Sequence, residues 1–225
     1  MSSLINKTAS VMHSQHGWFV SDSLTNAEVG AWGTKDGDLF EPLGDLKTIN
    51  KGVPDPNVET IARTNRWFLD KGASHGNWVV GAKDKLGLAS LSISIEFDEK
   101  YAIACYLAKY DEVSMKNLEA IGNALAELYR KPGKDWKLNR KWVYTGLHVN
   151  SGFILMSLEK NVKLTLTGKG TVDVHGVPVD IEVSGLQTSS KTSAELADLK
   201  GVTPFCKLAE TTDSLFAKAG WRQIG

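Results

Sequence analysis

The chain has 225 residues, with 26 basic and 26 acidic side chains, so its formal net charge at neutral pH is zero. That length can bury a full core, and the even balance excludes a global field that would gather nucleic acid or membrane; any such attraction has to be local. No run approaches the ~18 apolar residues of a spanning helix, and no basic segment followed by an apolar one marks a secretory signal. The two cysteines, Cys105 and Cys206, lie far apart in apolar surroundings, which predicts buried thiols in a reducing compartment and a cytoplasmic location.

Residues 3–16 read as a short amphipathic helix with Leu4, Thr8, Val11, Met12 and Gln15 on one side and Gly17 as its stop. Residues 18–20 and 29–32 look like short strands, and 39–46 like a polar–apolar connector. Asp55 followed by Pro56 has the form of a helix start. A helix is predicted over 55–71, with Val58, Ile61, Phe68 and Leu69 inward. Strands are expected over 78–97 and 101–110. The strongest helical pattern follows at 114–130, where Leu118, Ile121, Leu125 and Leu128 form one apolar stripe, and Pro132-Gly133 ends it. Further strands are predicted over 141–149, 153–167, 171–184 and 203–208, then a helical turn at 213–218.

Two stretches alternate with period two. Leu91, Ile93, Ile95 and Phe97 fall on one side of the first, and Ser92, Ser94 and Glu96 on the other. The second runs through Ile154, Met156, Leu158, Val162, Leu164 and Leu166, broken by Lys160 and resuming beyond Gly168-Lys169-Gly170. Such alternation sets one face against a core or lipid and the other in water. A soluble sheet and a membrane barrel need the same pattern, and barrel strands need about 9–11 residues of it. Strands without regular strand–helix alternation predict a single α+β domain, with a twisted, mainly antiparallel sheet and flanking helices at 55–71 and 114–130.

Several groups of residues carry candidate chemistry. The stretch 130–141 holds six basic residues and one acid, with Trp136 inside it and Trp142 next to it. Lys131, Lys134, Trp136, Lys137, Arg140 and Lys141 have the composition of an anionic-lipid or single-strand contact; a solvated connection with its tryptophans turned inward has the same composition. Gly72-Ala73-Ser74-His75-Gly76 matches the string of a hydrolase nucleophile elbow. That mechanism needs a strand before the serine and a helix after it, and the predicted order is the reverse. His148 or His175 as base and Asp98, Asp111 or Asp135 as orienter are not selected by spacing. His13 and His16 share a helix face, with no further ligand beside them for a metal. No cofactor is implied.

The order of elements resembles the pore-forming N-terminal domain of gasdermins, bacterial ones included. Gly30-Ala31-Trp32-Gly33 followed by the stretch from Asp38 to Leu46 is similar to that family's early strand and Leu-Asp-Leu-type segment. The strand pair at 91–110 precedes a helix, Trp142-Val143-Tyr144-Thr145-Gly146-Leu147 occupies the place of a late strand, and Pro204-Phe205-Cys206-Lys207-Leu208 resembles a closing strand. The resemblance implies that the two alternating regions unfurl into membrane hairpins. It implies a non-enzymatic membrane-interacting or pore-forming domain, with anionic lipid and further copies of the chain as partners and no specific nucleic acid. Against that family's pattern, the sequence predicts no inhibitory domain after the strands and no cleavable linker, has no cysteine near its start, and carries only Lys7 as a basic residue in the first helix. The alternatives are a cytosolic small-molecule or protein binding module and a serine hydrolase using Ser74.

Overall fold

The structure is a computed structural model that describes residues 3–24, 26–49, 52–131, 136–188, 194–214 and 217–224. It is α+β and mostly antiparallel strand. The elements in order are α1 (Ser3–His16), β1 (Phe19–Ser21), β2 (Ala31–Asp36), β3 (Leu39–Asp45), a single 3-10 turn, β4 (Val58–Leu69), β5 (Ala73–His75), β6 (Val79–Lys83), β7 (Ala89–Phe97), β8 (Ile103–Met115), α2 (Leu118–Arg130), β9 (Lys141–Ser157), β10 (Val162–Val172), β11 (Pro178–Thr188), β12 (Ala194–Leu199), β13 (Val202–Ser214) and β14 (Ala217–Ile224). One sheet runs β14-β13-β1-β3-β2-β9-β8-β4, with β12 also on β9; the other runs β11-β10-β7-β5, with β6 also on β7. By their contacts the residues fall into two units: 1–11, 62–110 and 149–201 in the first, 12–61, 111–148 and 202–225 in the second.

The first unit is built around the alternating strands. Ala89, Leu91, Ile93, Ile95 and Phe97 of β7, with Val162, Leu164 and Leu166 of β10, bury one face against Ala104, Tyr106 and Ala108 of β8, against Ala102 just before it, and against Phe153 and Leu155 of β9. Ala104 and Ala108 on β8, with Ala102 before it, leave room for the larger side chains opposite, so the layers interdigitate. In the second unit the α2 stripe lands as predicted: Ile121, Leu125 and Leu128 are buried with Met115, Trp136 and Trp142, and Leu118 packs at the edge. Gly122 sits mid-helix because the Trp221 ring lies over it; a Cβ there would come within 2.4 Å of that ring. A second cluster of that unit holds Phe19, Phe40, Val143, Cys206 and Leu208. Both cysteines are buried and free, as the sequence predicts. Burial raises both thiols well above their ordinary range and keeps them protonated.

Several elements differ from expectation. The predicted helix at 55–71 is strand β4, exposed along most of its length. Spacing of apolar residues suggested a helix, but Val58, Thr60, Ile61, Thr64, Trp67 and Phe68 are β-branched or aromatic, and pairing with β8 satisfies the backbone as strand. The 39–46 connector is β3, which pairs with both β1 and β2. The helical turn expected at 213–218 is replaced by strand on both flanks, up to Ser214 and from Ala217; residues 215–216 lie outside the described residues. Of the helix expected from 114, Ser114 and Met115 belong to β8, Lys116 and Asn117 form a turn, and α2 starts at Leu118. Asn117 precedes it, spending its side chain on the neighbouring loop by accepting from Asn57 N at 2.8 Å and donating to Asp55 O at 2.8 Å.

Candidate functional site: an amphipathic sheet and its two turns

Strands β7 and β10 run antiparallel in unbroken register over nine pairs, from Val162 opposite Phe97 to Gly170 opposite Ala89. The pairs alternate in kind. Val162/Phe97, Leu164/Ile95 and Leu166/Ile93 face the core; Lys163/Glu96, Thr165/Ser94, Thr167/Ser92 and Lys169/Ser90 face away from it. Lys163 Nζ sits 2.6 Å from Glu96 Oε1 on the outward face, an exposed pair that sets register more than stability. A one-residue slip would turn every apolar side chain into water, so the pattern specifies the pairing.

The apolar run from Ile154 to Leu166 is not one strand. Ile154 and Met156 lie on β9, Leu158 lies in the connection, and Val162, Leu164 and Leu166 lie on β10. Asn161, with φ +55°, reverses the chain just before β10. The β9 residues that share a cluster with Val162, Leu164 and Leu166 are therefore Phe153 and Leu155, whereas Ile154 and Met156 are buried outside it. Lys160 is exposed in the connection, where a charge costs nothing. Gly168 and Gly170 do not break β10 either. They are glycines because β11 crowds them: a Cβ on Gly170 would stand 1.9 Å from the Asp180 carbonyl oxygen.

The real reversal comes at Asp173-Val174-His175-Gly176, and the β6–β7 hairpin turns by the same device at Asp84-Lys85-Leu86-Gly87. In each, the aspartate opens the turn and a glycine with positive φ closes it, at +80° for Gly87 and +77° for Gly176. Asp84 Oδ1 accepts from Leu86 N at 2.9 Å and Leu88 N at 3.1 Å. Asp173 Oδ1 accepts from His175 N and Val177 N, both at 2.9 Å. A hydrogen bond from Lys169, then those from backbone amides, hold the Asp84 carboxyl below its ordinary value. Backbone N–H groups, that of Val177 first, do so for Asp173. Each turn presents an apolar side chain to solvent, Leu86 at 84% exposure and Val174 at 95%.

Because both carboxyls have depressed folded-state pKa values, what they contribute is present above the ordinary value of 3.8 and is lost as pH falls through the lower folded value. The amide resonances of Leu86, Leu88, His175 and Val177 should move together in an acid titration with a midpoint below 3.8. Midpoints at or above that value would show that the turns are not held by their aspartates.

The basic stretch is arranged differently from a surface contact. Trp136 is fully buried, its Nε1–H donating to Thr211 Oγ1 at 2.9 Å, with its ring edge-on to Trp32 and Trp142 at 6.0 and 6.1 Å. An indole buries too much apolar area to stay outside when such a pocket is at hand. The Arg140 guanidinium lies 4.3 Å from the centre of the Trp32 ring, a cation–π contact. Lys141 donates to Glu210, which also takes the Arg222 guanidinium at 2.6 Å. Burial pushes the Glu210 carboxyl up, and the hydrogen bonds from Lys141 and Arg222 outweigh it, leaving the group below its ordinary value. Lys131 and Lys137 are exposed, and Lys134 lies outside the described residues.

The remaining candidates also find places. Ser74 is on the short strand β5, paired with Glu96 and followed by β6, so no helix follows it as an elbow requires. His148 bonds Thr203 Oγ1 at 3.1 Å. His13 pairs with Asp38 at 2.7 Å and stacks on Phe19. No group of three or more metal-binding side chains occurs among the described residues, and no helix among them is long and apolar enough to cross a membrane. The sequence reading missed the twin turns, although both strings, Asp84 to Gly87 and Asp173 to Gly176, have the Asp-x-x-Gly form that flags such a reversal.

No family model matches the chain, and no curated protein does. Among solved structures it is similar to a chain of the gasdermin A3 membrane pore determined by cryo-EM, at 10% identity, covering 99% of this chain and 94% of that one. The TM-score is 0.37. A likeness at that level assigns neither activity nor assembly.

Proposed function

We propose that the chain is a non-enzymatic, gasdermin-like membrane-interacting domain that forms pores with other copies of itself on anionic membranes. The observation that supports this reading best is the β7–β10 register, in which one face is wholly apolar and the other wholly polar. Strands β7, β10 and β11 have 9, 11 and 11 residues, the length a tilted membrane strand needs, about 9–11. In the folded monomer the apolar face is covered by β8 and β9; in a bilayer, lipid would take their place while Ser92, Ser94, Thr165 and Lys163 lined water. Leu86 and Val174, exposed at the turn tips, are the first apolar groups a membrane would meet. Lys131 and Lys137 would supply contact with anionic headgroups, an attraction that weakens with salt beyond about 8 Å at physiological ionic strength.

Dye release from anionic liposomes, with the chain intact and after limited proteolysis, tests this. Leakage is expected under at least one of the two conditions. Leu86→Ser with Val174→Ser should reduce it severalfold while the melting temperature stays within a degree or two, because exposed substitutions rarely change stability by more than ~0.5 kcal/mol. Intact liposomes under both conditions would sink the pore reading.

A further inference from the structure

A cleft of about 330 Å³ opens in the first unit, lined by Asn65, Trp67, His75, Asn77, Trp78 and His175 with adjoining turn backbone. We infer that this cleft is a binding site for a neutral sugar ring. It shares with the pore reading only the Asp173–Gly176 turn, and its volume is within the range of small-molecule sites, about 300–1,000 Å³.

The floor is aromatic. His75 stacks on Trp67 at 4.3 Å with 14° between the planes, and Trp67 rests on Tyr106 at 4.6 Å. Trp78 approaches the same Tyr106 ring at 5.4 Å. Tyr106 is itself fixed, its hydroxyl donating to Pro178 O at 3.1 Å. The rings are thus locked from beneath by the buried cluster of that unit, and a locked platform loses little entropy when a ligand settles on it.

The rim supplies hydrogen bonds without fixed charge. His75 Nδ1 lies 2.7 Å from Gly76 O. A carbonyl can only accept, so Nδ1 carries the proton and Nε2 of the neutral ring is left as an acceptor. Asn65 and Asn77 each offer an amide that donates and accepts. Asn65 holds φ at +56° inside strand β4, a conformation asparagine tolerates better than most residues and one that sets its side chain apart from the strand's alternation. The Trp78 Nε1–H is buried and makes no hydrogen bond of normal geometry, although the Tyr106 hydroxyl is close enough to feel it.

This combination selects the ligand. With no lysine, arginine or carboxylate among the lining side chains, nothing in the cleft favours an anion or a cation by Coulomb attraction. A quaternary ammonium would use the rings but leave the two amides and two imidazoles without partners. A pyranose uses both: its C–H face, slightly positive and poorly hydrated, suits the negative face of an aromatic ring, and its hydroxyls match groups that donate and accept.

Saturation-transfer NMR on the full chain tests the inference, with methyl glycosides of glucose, galactose, mannose and N-acetylglucosamine as probes and adenosine and choline as controls. Transfer to at least one glycoside is expected at millimolar concentration. It should weaken about tenfold or more in Asn77→Ala and in His75→Phe, which keeps the stacked ring and removes the acceptor. Both positions are exposed, so both variants should keep the parent melting curve. Absence of transfer to every glycoside, transfer to adenosine or choline in their place, or undiminished transfer in both variants would each overturn the site. Liposome leakage is not a readout here, so this result and that of the pore reading are separable.

Discussion

Leu164→Asp should cost on the order of 4 kcal/mol of stability, which for a chain of this size lowers the melting temperature by about 8–16 °C. Leu164 is fully buried between Ile95 on β7 and the β11 side of the sheet, and an aspartate there would lose the leucine's contacts and strand a carboxyl without partners. The adjacent Thr165 faces the other way, opposite Ser94. Thr165→Val should therefore leave the melting curve nearly unchanged. If the chain forms pores as proposed, the same valine should alter conductance, because it would make part of the water-lining face apolar. Thermal denaturation followed by circular dichroism gives the stability comparison. Equal melting temperatures for Leu164→Asp and the parent would mean that the apolar face of the hairpin is not buried in solution.

Trp136→Ala should be comparably severe, at about 3–5 kcal/mol. It empties a fully buried site and leaves the Thr211 hydroxyl without its donor. Trp136→Phe should recover a large part of the loss, since packing outweighs a single hydrogen bond of about 1 kcal/mol. Urea unfolding at constant m-value measures both. The contrast is with Lys137→Glu, at an exposed position four residues before Lys141, which should be nearly neutral for folding and should act only on binding to anionic liposomes at low salt. A Trp136→Ala variant as stable as the parent would return the tryptophan to the surface and make it available to a membrane after all.

These expectations separate what the residues dictate locally from what long-range pairing decides. The α2 stripe was legible because Leu118, Ile121, Leu125 and Leu128 state a helical period with no competing pattern, and all four pack inward. Leu91 to Phe97 was legible for the same reason with period two. Residues 58–69 were not. Their apolar spacing admits a helix and their β-branched content admits a strand, and the neighbouring β8 backbone, brought there by the fold, settles it. The run from Ile154 to Leu166 carries an alternation that survives the reversal at 158–161, so periodicity alone could not reveal the turn; Asn161 with its positive φ does.

The candidate sites divide along the same line. That β7 and β10 have one polar and one apolar face is a property of the sequence, because side chains alternate on any strand. Which tryptophans are buried is not. Trp136 sits among basic residues in the chain yet packs against Trp32 and Trp142, and Trp67 and Trp78, with His75 stacked on Trp67, meet over Tyr106 from a later strand. Alternation and helical stripes depend on neighbours a few residues apart, which a sequence displays directly. The indole positions and the aromatic cleft depend on strands paired across tens of residues, so only the tertiary structure decides them.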